Sequence, residues 1–233
     1  MQRHSQGLNS FIKMIRKGVP TMKLVVLGAP GAGKGTQANF LTKKYNIAHI
    51  STGDILRSHM NNKTEIGLKI VDIMNEGKLV SDEIVVGLVK ERVKEADCKN
   101  GFLLDGFPRN LHQAEVLSTI VKDLNAVIEI NVPDDVIVER MTGRRVCPNC
   151  GKVYHMIYNK PKERDKCDTC GTNIIQRKDD EAQTVLSRLK IYHNQTSPLV
   201  EYYKEKGLLL SFDGTENLEI LKEKIIAALG DDK

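Results

Sequence analysis

A glycine-rich segment near the start of the chain combines the residue types that bind phosphate. It runs from Gly28 to Thr36 with the sequence GAPGAGKGT, directly after the apolar run Lys23–Leu27. Glycines let backbone N–H groups close on phosphate oxygens, a helix that begins near Lys34 adds its positive dipole end, and the lysine adds a full charge. The order of apolar strand, glycine-rich turn and helix therefore predicts a site for a nucleotide phosphate.

Four of the five cysteines form two C-x-x-C pairs. Cys147 pairs with Cys150 and Cys167 with Cys170, and sixteen residues separate the two pairs. This spacing is typical of one tetrahedral zinc ion, and four thiolates would fill its coordination sphere. We therefore expect zinc to stabilise this segment without taking part in chemistry. Two disulfides are the alternative, although no secretory signal is visible to favour them. The fifth cysteine, Cys98, has no predicted role.

Six arginines lie near the ends or junctions of predicted elements. They are Arg57, Arg109, Arg140, Arg144, Arg177 and Arg188. Guanidinium groups bind phosphate through two parallel hydrogen bonds, so a cluster of them suits the neutralisation of anionic ligands. We expect these arginines to converge with Lys34 on one cleft.

Apolar runs alternate along the chain with segments of helical spacing. The apolar runs are Lys23–Leu27, Ala48–Ile50, Phe102–Leu104, Ala126–Val132 and Leu208–Phe212. The segments of helical spacing are Gln37–Tyr45, Ile84–Lys94, Gln113–Asp123 and Gln183–Lys204. This alternation predicts an α/β fold with a doubly wound parallel sheet of about five strands. Ligands of such sheets bind at the carboxyl ends of the strands.

Two segments interrupt the alternation and predict small domains inserted into the core. Residues 51–80 are polar and helical, and residues 143–180 contain the cysteine pairs and many turn residues. The core domain is then formed by residues 22–50, 81–142 and 181–233.

Composition and charge argue against a membrane protein and against a protein that binds duplex nucleic acid. Of the 233 residues, 40% are hydrophobic and 28% are charged, as in soluble globular proteins. No apolar run approaches the roughly 18 residues that a membrane span needs. The net charge is +5, but four bases precede Met22, which leaves 31 bases and 30 acids in the remainder. A nearly neutral body argues against binding to duplex nucleic acid.

Residues 1–21 contain bases and no acid, which fits either an organelle transit segment or an upstream start of the chain. We exclude this extension from the fold. A cytoplasmic location is expected, or an organelle matrix if the extension is a transit segment.

The phosphate loop departs from the usual form at one position, because Gly35 follows the lysine and Thr36 comes one residue later. The resulting pattern, G-x-P-G-x-G-K-G-T, resembles the nucleoside monophosphate kinases. The stretches STGDILR (Ser51–Arg57) and DGFPR (Asp105–Arg109) add to the resemblance, which covers the chain from Met22 onward. With its long cysteine-bearing insertion, the chain most resembles the adenylate kinase family in its long, zinc-binding form.

The resemblance implies a monomeric enzyme that catalyses reversible, magnesium-dependent phosphoryl transfer, ATP + AMP = 2 ADP. Both substrates are anionic, so catalysis is mostly positioning and neutralisation of charge. The acceptor phosphate is already an oxyanion, and no general base is required. The catalytic residues implied are Lys34, Arg109, Arg144, Arg177 and Arg188.

The resemblance also assigns the donor side of the site. The ATP phosphates would contact Gly31, Ala32, Gly33, Lys34, Gly35 and Thr36. Arg140 and Arg144 would add charge and stacking. Residues 143–180 would form a lid, from which Val153 and Tyr154 contact ATP, while the backbone near Glu216 would touch the adenine.

On the acceptor side, residues 51–80 would form an AMP insertion. The AMP pocket would contain Thr52, Arg57, Lys78, Leu79, Val80, Gly106, Phe107, Pro108, Arg109 and Gln113. Arg177 and Arg188 would bridge to the transferred phosphoryl group. Asp105, which ends the apolar run FLL, would position hydrated magnesium with help from Asp54. The amide of Gln113 both donates and accepts hydrogen bonds, which suits an adenine edge.

Two alternatives remain open from the sequence. A kinase that accepts another nucleoside monophosphate, or uses GTP as donor, would share most of these motifs because base identity depends on few side chains. A zinc-ribbon protein that binds nucleic acid with an ATPase core is more distant. Arg144 and Arg145 beside the cysteines favour it, and the neutral body and scarcity of aromatic residues argue against it.

Overall fold

The computed structural model describes residues 21–230. The strands are, in chain order, β1 (Met22–Leu27), β2 (Ala48–Ser51), β3 (Gly101–Asp105), β4 (Ala126–Asn131), β5 (Arg144–Val146), β6 (Val153–His155) and β7 (Leu209–Asp213). Five of them form a parallel sheet in the order β2-β3-β1-β4-β7. The predicted α/β fold with a five-stranded parallel sheet is confirmed. The predicted extension, except for residue 21, lies outside the described residues.

Helices connect these strands and cover the sheet. They are α1 (Lys34–Tyr45), α2 (Thr52–Asn61), α3 (Glu65–Asn75), α4 (Asp82–Arg92), α5 (Leu111–Ile120), α6 (Asp134–Gly143), α7 (Ala182–Ile191), α8 (Pro198–Glu205) and α9 (Leu218–Ala228). Within residues 21–230, no helix has the length and apolar character that a membrane span requires.

The central strands are buried on both faces of the sheet. On β1, Leu24 and Val26 join one hydrophobic cluster while Val25 and Leu27 join the other, and all four are at most 3% exposed. Successive side chains of a strand point to opposite faces, so a continuous apolar run is the pattern of a strand covered on both sides. This packing holds the carboxyl ends of β1, β3 and β4 next to one another.

The predicted helix over Gln183–Lys204 is wrong as a single element. Residues Tyr192–Thr196 form a π-helical turn between α7 and α8, and Pro198 begins the second helix. Proline has no N–H to donate, so it cannot continue the hydrogen bonds of the preceding helix. The interruption has a consequence for the site, because the hydroxyl of Thr196 donates to the carbonyl oxygen of Arg109 at 2.7 Å.

Each insertion has secondary structure of its own. Residues 51–80 contain α2 and α3, which pack against each other. Residues 143–180 contain the antiparallel pair β5–β6, to which Ile175 adds a bridge opposite Val146. The first begins at the carboxyl end of β2, and the second begins at the end of α6.

Gly101 provides a test of this architecture at the first residue of β3. Its φ is +119°, and a Cβ at this position would lie 2.0 Å from the carbonyl oxygen of Met22 on β1. We expect Gly101→Ala to lower the free energy of unfolding by about 3 kcal/mol, because the strain of the backbone and the clash act together. Denaturant titration measures this loss.

The matched control is Gly87→Ala in α4, where a Cβ would meet no atom within 4 Å. This exposed helical position should gain about 0.5–1 kcal/mol, since alanine has the higher helix propensity. Equal stability of the two variants would contradict the close approach of Gly101 to the backbone of Met22.

Candidate active site

The phosphate loop joins β1 to α1 at the carboxyl edge of the sheet. Gly28, Gly31 and Gly33 have φ values of 141°, 87° and 101°. A Cβ at Gly28 would lie 2.4 Å from the carbonyl oxygen of Ile130, and one at Gly31 would lie 2.6 Å from Cγ of Met141. Gly33 is the N-cap of α1, and no side chain of the described residues caps this helix. The N–H groups of Lys34 and Gly35 are therefore available to an anion, while that of Thr36 donates to the carbonyl oxygen of Gly33.

The ammonium group of Lys34 folds back onto the loop. Its Nζ donates to the carbonyl oxygens of Gly28 and Ala29, both at 2.8 Å. Removal from water lowers its pKa to about 8, and the nearby guanidinium groups of Arg109 and Arg188 act in the same direction, while Asp105 opposes them. A lysine with this pKa in a cleft is typical of a functional position.

Two carboxylates hold two of the predicted arginines at the base of the lid. Asp180 is fully buried and accepts hydrogen bonds from Nε and Nη2 of Arg144 at 2.7 and 2.5 Å. Nη1 of Arg188 donates to a carboxylate oxygen of Asp179 at 2.7 Å and lies 3.5 Å from Asp180. The two guanidinium groups are thus fixed in one place by a shared acidic pair.

Positive charge exceeds negative charge in this part of the cleft. Burial lowers the pKa of both Arg177 and Arg188 to about 10. Neighbouring cations contribute as well, namely Arg57 and Arg144 for Arg177, and Arg144 and Arg109 for Arg188. These cations repel one another, so bound phosphate groups would stabilise their charged forms.

Two adjoining cavities lie between the phosphate loop and residues 51–80, and they share part of their lining. Lys34 and Pro108 line the first cavity. The second is lined by eight of the predicted acceptor residues, namely Thr52, Arg57, Lys78, Leu79, Val80, Gly106, Arg109 and Gln113. Gly106, Arg109 and Arg188 line both cavities. The structure therefore brings most predicted acceptor residues into one space that opens onto Lys34.

Hydrogen bonds fix the backbone of the DGFPR segment in that space. The hydroxyl of Thr52 donates to the carbonyl oxygen of Gly106 at 2.9 Å, and the same oxygen accepts from Nε of Arg109 at 2.9 Å. The amide oxygen of Gln113 accepts from the N–H of Arg109 at 2.7 Å. Phe107 is fully buried in the hydrophobic core, so its side chain anchors this segment to the core.

The remaining predicted donor residues outside the phosphate loop lie on α6, on β6 and in the turn after β7. Nη2 of Arg140 donates to the carbonyl oxygen of Gly214 at 2.9 Å, which links α6 to the turn that contains Glu216. Val153 is 48% exposed on β6. Tyr154 is 1% exposed and points into the lid, so a ligand could reach its backbone but not its ring.

The two acids predicted to position magnesium have different surroundings. A carboxylate oxygen of Asp105 lies 3.6 Å from Nε2 of His49, and a Cβ at Gly35 would lie 3.7 Å from the same oxygen. Asp54 instead accepts a hydrogen bond from Arg57 at 2.7 Å. Partial burial would raise the pKa of Asp54, but the Arg57 guanidinium holds it below its usual value. Asp105 is therefore the acid next to the phosphate loop.

The four predicted metal ligands come together in the lid. The Sγ atoms of Cys147, Cys150, Cys167 and Cys170 all lie within 4.8 Å of one another. All four thiols are free, so the disulfide alternative is not supported. A hydrogen bond from the Tyr154 hydroxyl lowers the pKa of Cys167 to about 7. A cluster of four sulfurs at this spacing can hold one metal ion.

The sequence analysis missed residues that complete these sites. Asp179 and Asp180 follow Arg177 in the sequence, but nothing in that order indicates that they pair with Arg188 and Arg144. Each C-x-x-C pair is followed by a glycine, Gly151 or Gly171, with φ of 75° and 72°. These glycines close two equivalent turns, and the repeated pattern C-x-x-C-G was a signal that could have identified them.

Comparisons with known proteins all indicate one family. A sequence model of the family described as adenylate kinase matches residues 26–208. A protein of Caldicellulosiruptor bescii named adenylate kinase is 52% identical over 213 residues, which are 90% of this chain and 99% of the relative. Adenylate kinase of Acetivibrio thermocellus is 51% identical over 212 residues, 89% and 98% of the two chains. Adenylate kinase of Clostridium perfringens strain SM101 is 49% identical over 216 residues, 91% and 100% of the two chains.

The lowered pKa of Lys34 predicts how the affinity for a nucleoside triphosphate depends on pH. The charged ammonium binds the anion, so binding raises the pKa of Lys34 and takes up a proton once the pH exceeds about 8. The dissociation constant should therefore rise above pH 8, by up to about tenfold per unit. Titration calorimetry between pH 7 and 9.5, in buffers of different ionisation enthalpy, measures both the affinity and the proton uptake.

Lys34→Met is the control, because it removes the titrating group and should remove the proton uptake with it. Proton uptake of equal size in the variant would assign the pH dependence to another group.

Proposed function

The chain belongs to the adenylate kinase family, whose reaction is ATP + AMP = 2 ADP, and we propose that the second cavity holds AMP while the first receives the phosphate end of ATP. One observation carries this proposal. Arg109 and Arg188 line both cavities, between Lys34 in the first and Thr52 in the second. A phosphoryl group that passes from one nucleotide to the other would stay in contact with these two guanidinium groups.

The proposed mechanism is positioning and neutralisation of charge. Two anionic nucleotides repel each other, so their phosphates need cations that are already in place. Lys34 and the N-terminus of α1 would hold the donor phosphates, and Arg144, Arg177 and Arg188 would surround the transferred group. Because Asp179 and Asp180 already fix two of these arginines, less side-chain freedom would be lost on binding.

We assign the acceptor phosphate to Arg57 and Arg109, and the AMP base to the region of Thr52 and Gln113. The side chain of Gln113 already holds the backbone of Arg109, so it would couple occupation of the base site to the position of that arginine. Leu79 and Val80 would supply apolar contacts, and the backbone of residues 106–108 would close the pocket.

We assign the donor base to the space between Arg140, Val153 and the backbone near Glu216. Arg140 bridges the phosphate loop and the turn after β7, with contacts at 3.5 Å to Ala32 and 2.9 Å to Gly214. This position would let the planar guanidinium stack on an adenine.

Magnesium would accompany ATP and reduce the charge on its phosphates. Asp105 is our preferred residue for holding it through water molecules, because its carboxylate lies beside Gly35 in the phosphate loop. Asp54 would act at most from further away, since its carboxylate is paired with Arg57.

The cysteine cluster would hold zinc. Four thiolate sulfurs are a donor set that zinc prefers, and they leave no open coordination position for a substrate. The lid buries few apolar side chains, namely those of Val146, Cys147, Tyr154, Cys167 and Ile174. The metal would therefore supply stability that this short insertion cannot obtain from packing.

We propose that the AMP insertion, residues 51–80, and the lid, residues 143–180, are the units that close over the nucleotides. Closure would exclude water, which otherwise competes for the phosphoryl group. Arg57 in the first unit, and Arg144 and Arg177 in the second, would be drawn together by the bound anions.

The activity is tested by ADP formation from ATP and magnesium with AMP, CMP, UMP and GMP supplied in parallel. We expect AMP to be the preferred acceptor. Lys34→Met should lower kcat by about 10²–10³-fold, because it deletes a charge next to the transferred group. Lys43→Met is the matched control, since Lys43 is exposed on the same helix, and it should keep normal turnover.

Faster reaction with another monophosphate would correct the assignment of the acceptor. A folded Lys34→Met variant with normal turnover would contradict the assignment of the phosphate loop.

Removal of zinc from the purified protein should lower its thermal stability. Loss of a few kcal/mol corresponds to a Tm lower by about 10 °C for a chain of this size. Part of the activity should survive at low temperature, because the metal has no position open to substrate. Elemental analysis should find one zinc per chain in wild type and in Cys98→Ser, which removes a cysteine outside the cluster. Reduced protein that contains no zinc would contradict the assignment.

A further inference from the structure

The lid has a small hydrophobic core with one aromatic ring in it. Tyr154 packs there with Cys147, Cys167 and Ile174, and each of these residues is at most 7% exposed. The ring comes from β6, where Tyr154 is opposite Arg145 of β5. This packing brings the hydroxyl group of a fully buried tyrosine to the cysteine cluster.

Two hydrogen bonds determine where the proton of that hydroxyl points. The N–H of Asp168 donates to the Tyr154 oxygen at 2.7 Å, and Sγ of Cys167 lies 3.4 Å from the same oxygen. A backbone N–H can only donate, whereas a thiolate can only accept. The hydroxyl therefore accepts from Asp168 and directs its own proton to the sulfur of Cys167.

The ammonium group of Lys152, which lies near the ring, cannot compete for this proton. Nζ of Lys152 lies 5.3 Å from the ring centroid and 3.6 Å from a carboxylate oxygen of Asp168. An ammonium group has no acceptor. The other carboxylate oxygen of Asp168 accepts from the N–H of Lys162 at 2.8 Å, so Asp168 is held in place independently of the tyrosine.

We infer that Tyr154 is a positioning residue of the metal site, whose hydroxyl holds the Cys167 sulfur in place by donating a hydrogen bond to it. The inference rests on the proposed zinc site. Partners that orient a ligand in this way usually change metal affinity by about 10–100-fold when they are removed. The sulfur of Cys167 is buried, so water cannot readily replace the hydroxyl as donor.

The position of Tyr154 also connects the metal to the cleft. Its strand, β6, pairs with β5, and the first residue of β5 is Arg144, which is bonded to the buried carboxylate of Asp180. One two-stranded ribbon thus carries the hydroxyl at the metal site and the guanidinium at the base of the lid. Loading of the metal would restrain both through this ribbon.

The test compares Tyr154→Phe with wild type by transfer of zinc to the chelator 4-(2-pyridylazo)resorcinol. Phenylalanine keeps the ring and removes the hydroxyl, so we expect zinc affinity to fall by about 10–100-fold with the fold retained. Tyr158→Phe is the matched control, because Tyr158 is 64% exposed in the lid and its hydroxyl bonds to Glu139 and not to a cysteine. The control should hold zinc as wild type does.

A third variant, Tyr154→Leu, separates the hydrogen bond from packing. If both Tyr154 variants lose zinc faster than wild type, the hydroxyl carries the effect. If only the leucine variant does, Tyr154 acts by packing alone and the inference is overturned.

Cobalt(II) in place of zinc gives a spectroscopic readout that packing would not change. A hydrogen bond to a thiolate stabilises its electrons, so its loss in Tyr154→Phe should move the sulfur-to-cobalt charge-transfer band to longer wavelength. The d–d bands should keep the pattern of four sulfurs in a tetrahedron.

Unchanged charge-transfer energy together with unchanged zinc affinity in Tyr154→Phe would overturn the inference and leave the zinc site intact. A wild-type protein that binds neither metal would overturn the zinc site and the inference together.

Discussion

A carboxylate that has no contact with water organises this molecule's cleft. Asp180 is fully buried, and its two oxygens accept from two nitrogens of Arg144 while Arg188 lies 3.5 Å away. A buried charge without partners would cost several kcal/mol, so Asp180 must remain paired as long as the protein is folded. Because Arg144 begins the lid ribbon and Arg188 lies on α7, this one acid joins the lid to the core.

The charge balance around Asp180 also explains why the cleft would favour anions. Lys34, Arg109, Arg177 and Arg188 all have pKa values below their usual ones, with burial as the largest cause. The nearby carboxylates offset only part of this positive charge. Folding the chain therefore places cations where they are least stable, and the phosphates of two nucleotides are the groups that would restore the balance.

The lid obtains its structure in a different way from the core. The sheet is buried between two large hydrophobic clusters, whereas the hydrophobic cluster inside the lid has four members, two of which are cysteines. Two equivalent C-x-x-C-G turns place the sulfurs, and the Tyr154 hydroxyl joins them to the ribbon. A unit with so small a core could change position relative to the sheet without disturbing the packing of the sheet, as the proposed closure over the nucleotides requires.

The sequence by itself determined the features that depend on neighbouring residues. The glycine-rich loop, the five strands and the two cysteine pairs could be recognised because backbone conformation and ligand spacing are local properties. For the four segments of helical spacing that it delimited, the outer ends were placed within three residues of the observed helix ends. The interruption of the helix over Gln183–Lys204 was not predicted, because the helical spacing of the sequence continues through the π turn at Tyr192–Thr196.

Only the tertiary structure decided which distant side chains meet. Arg144 and Asp180 are 36 residues apart, and Gln113 bonds to Asp82 from 31 residues away. Phe107 lies in a motif that suggested a ligand contact, yet its side chain is in the core. The Tyr154 hydroxyl reaches Cys167 because this residue of β6 packs into the hydrophobic cluster of the lid. Such contacts depend on the tertiary path of the chain. That path is set by the packing of whole helices and strands, and no short stretch of sequence contains this information.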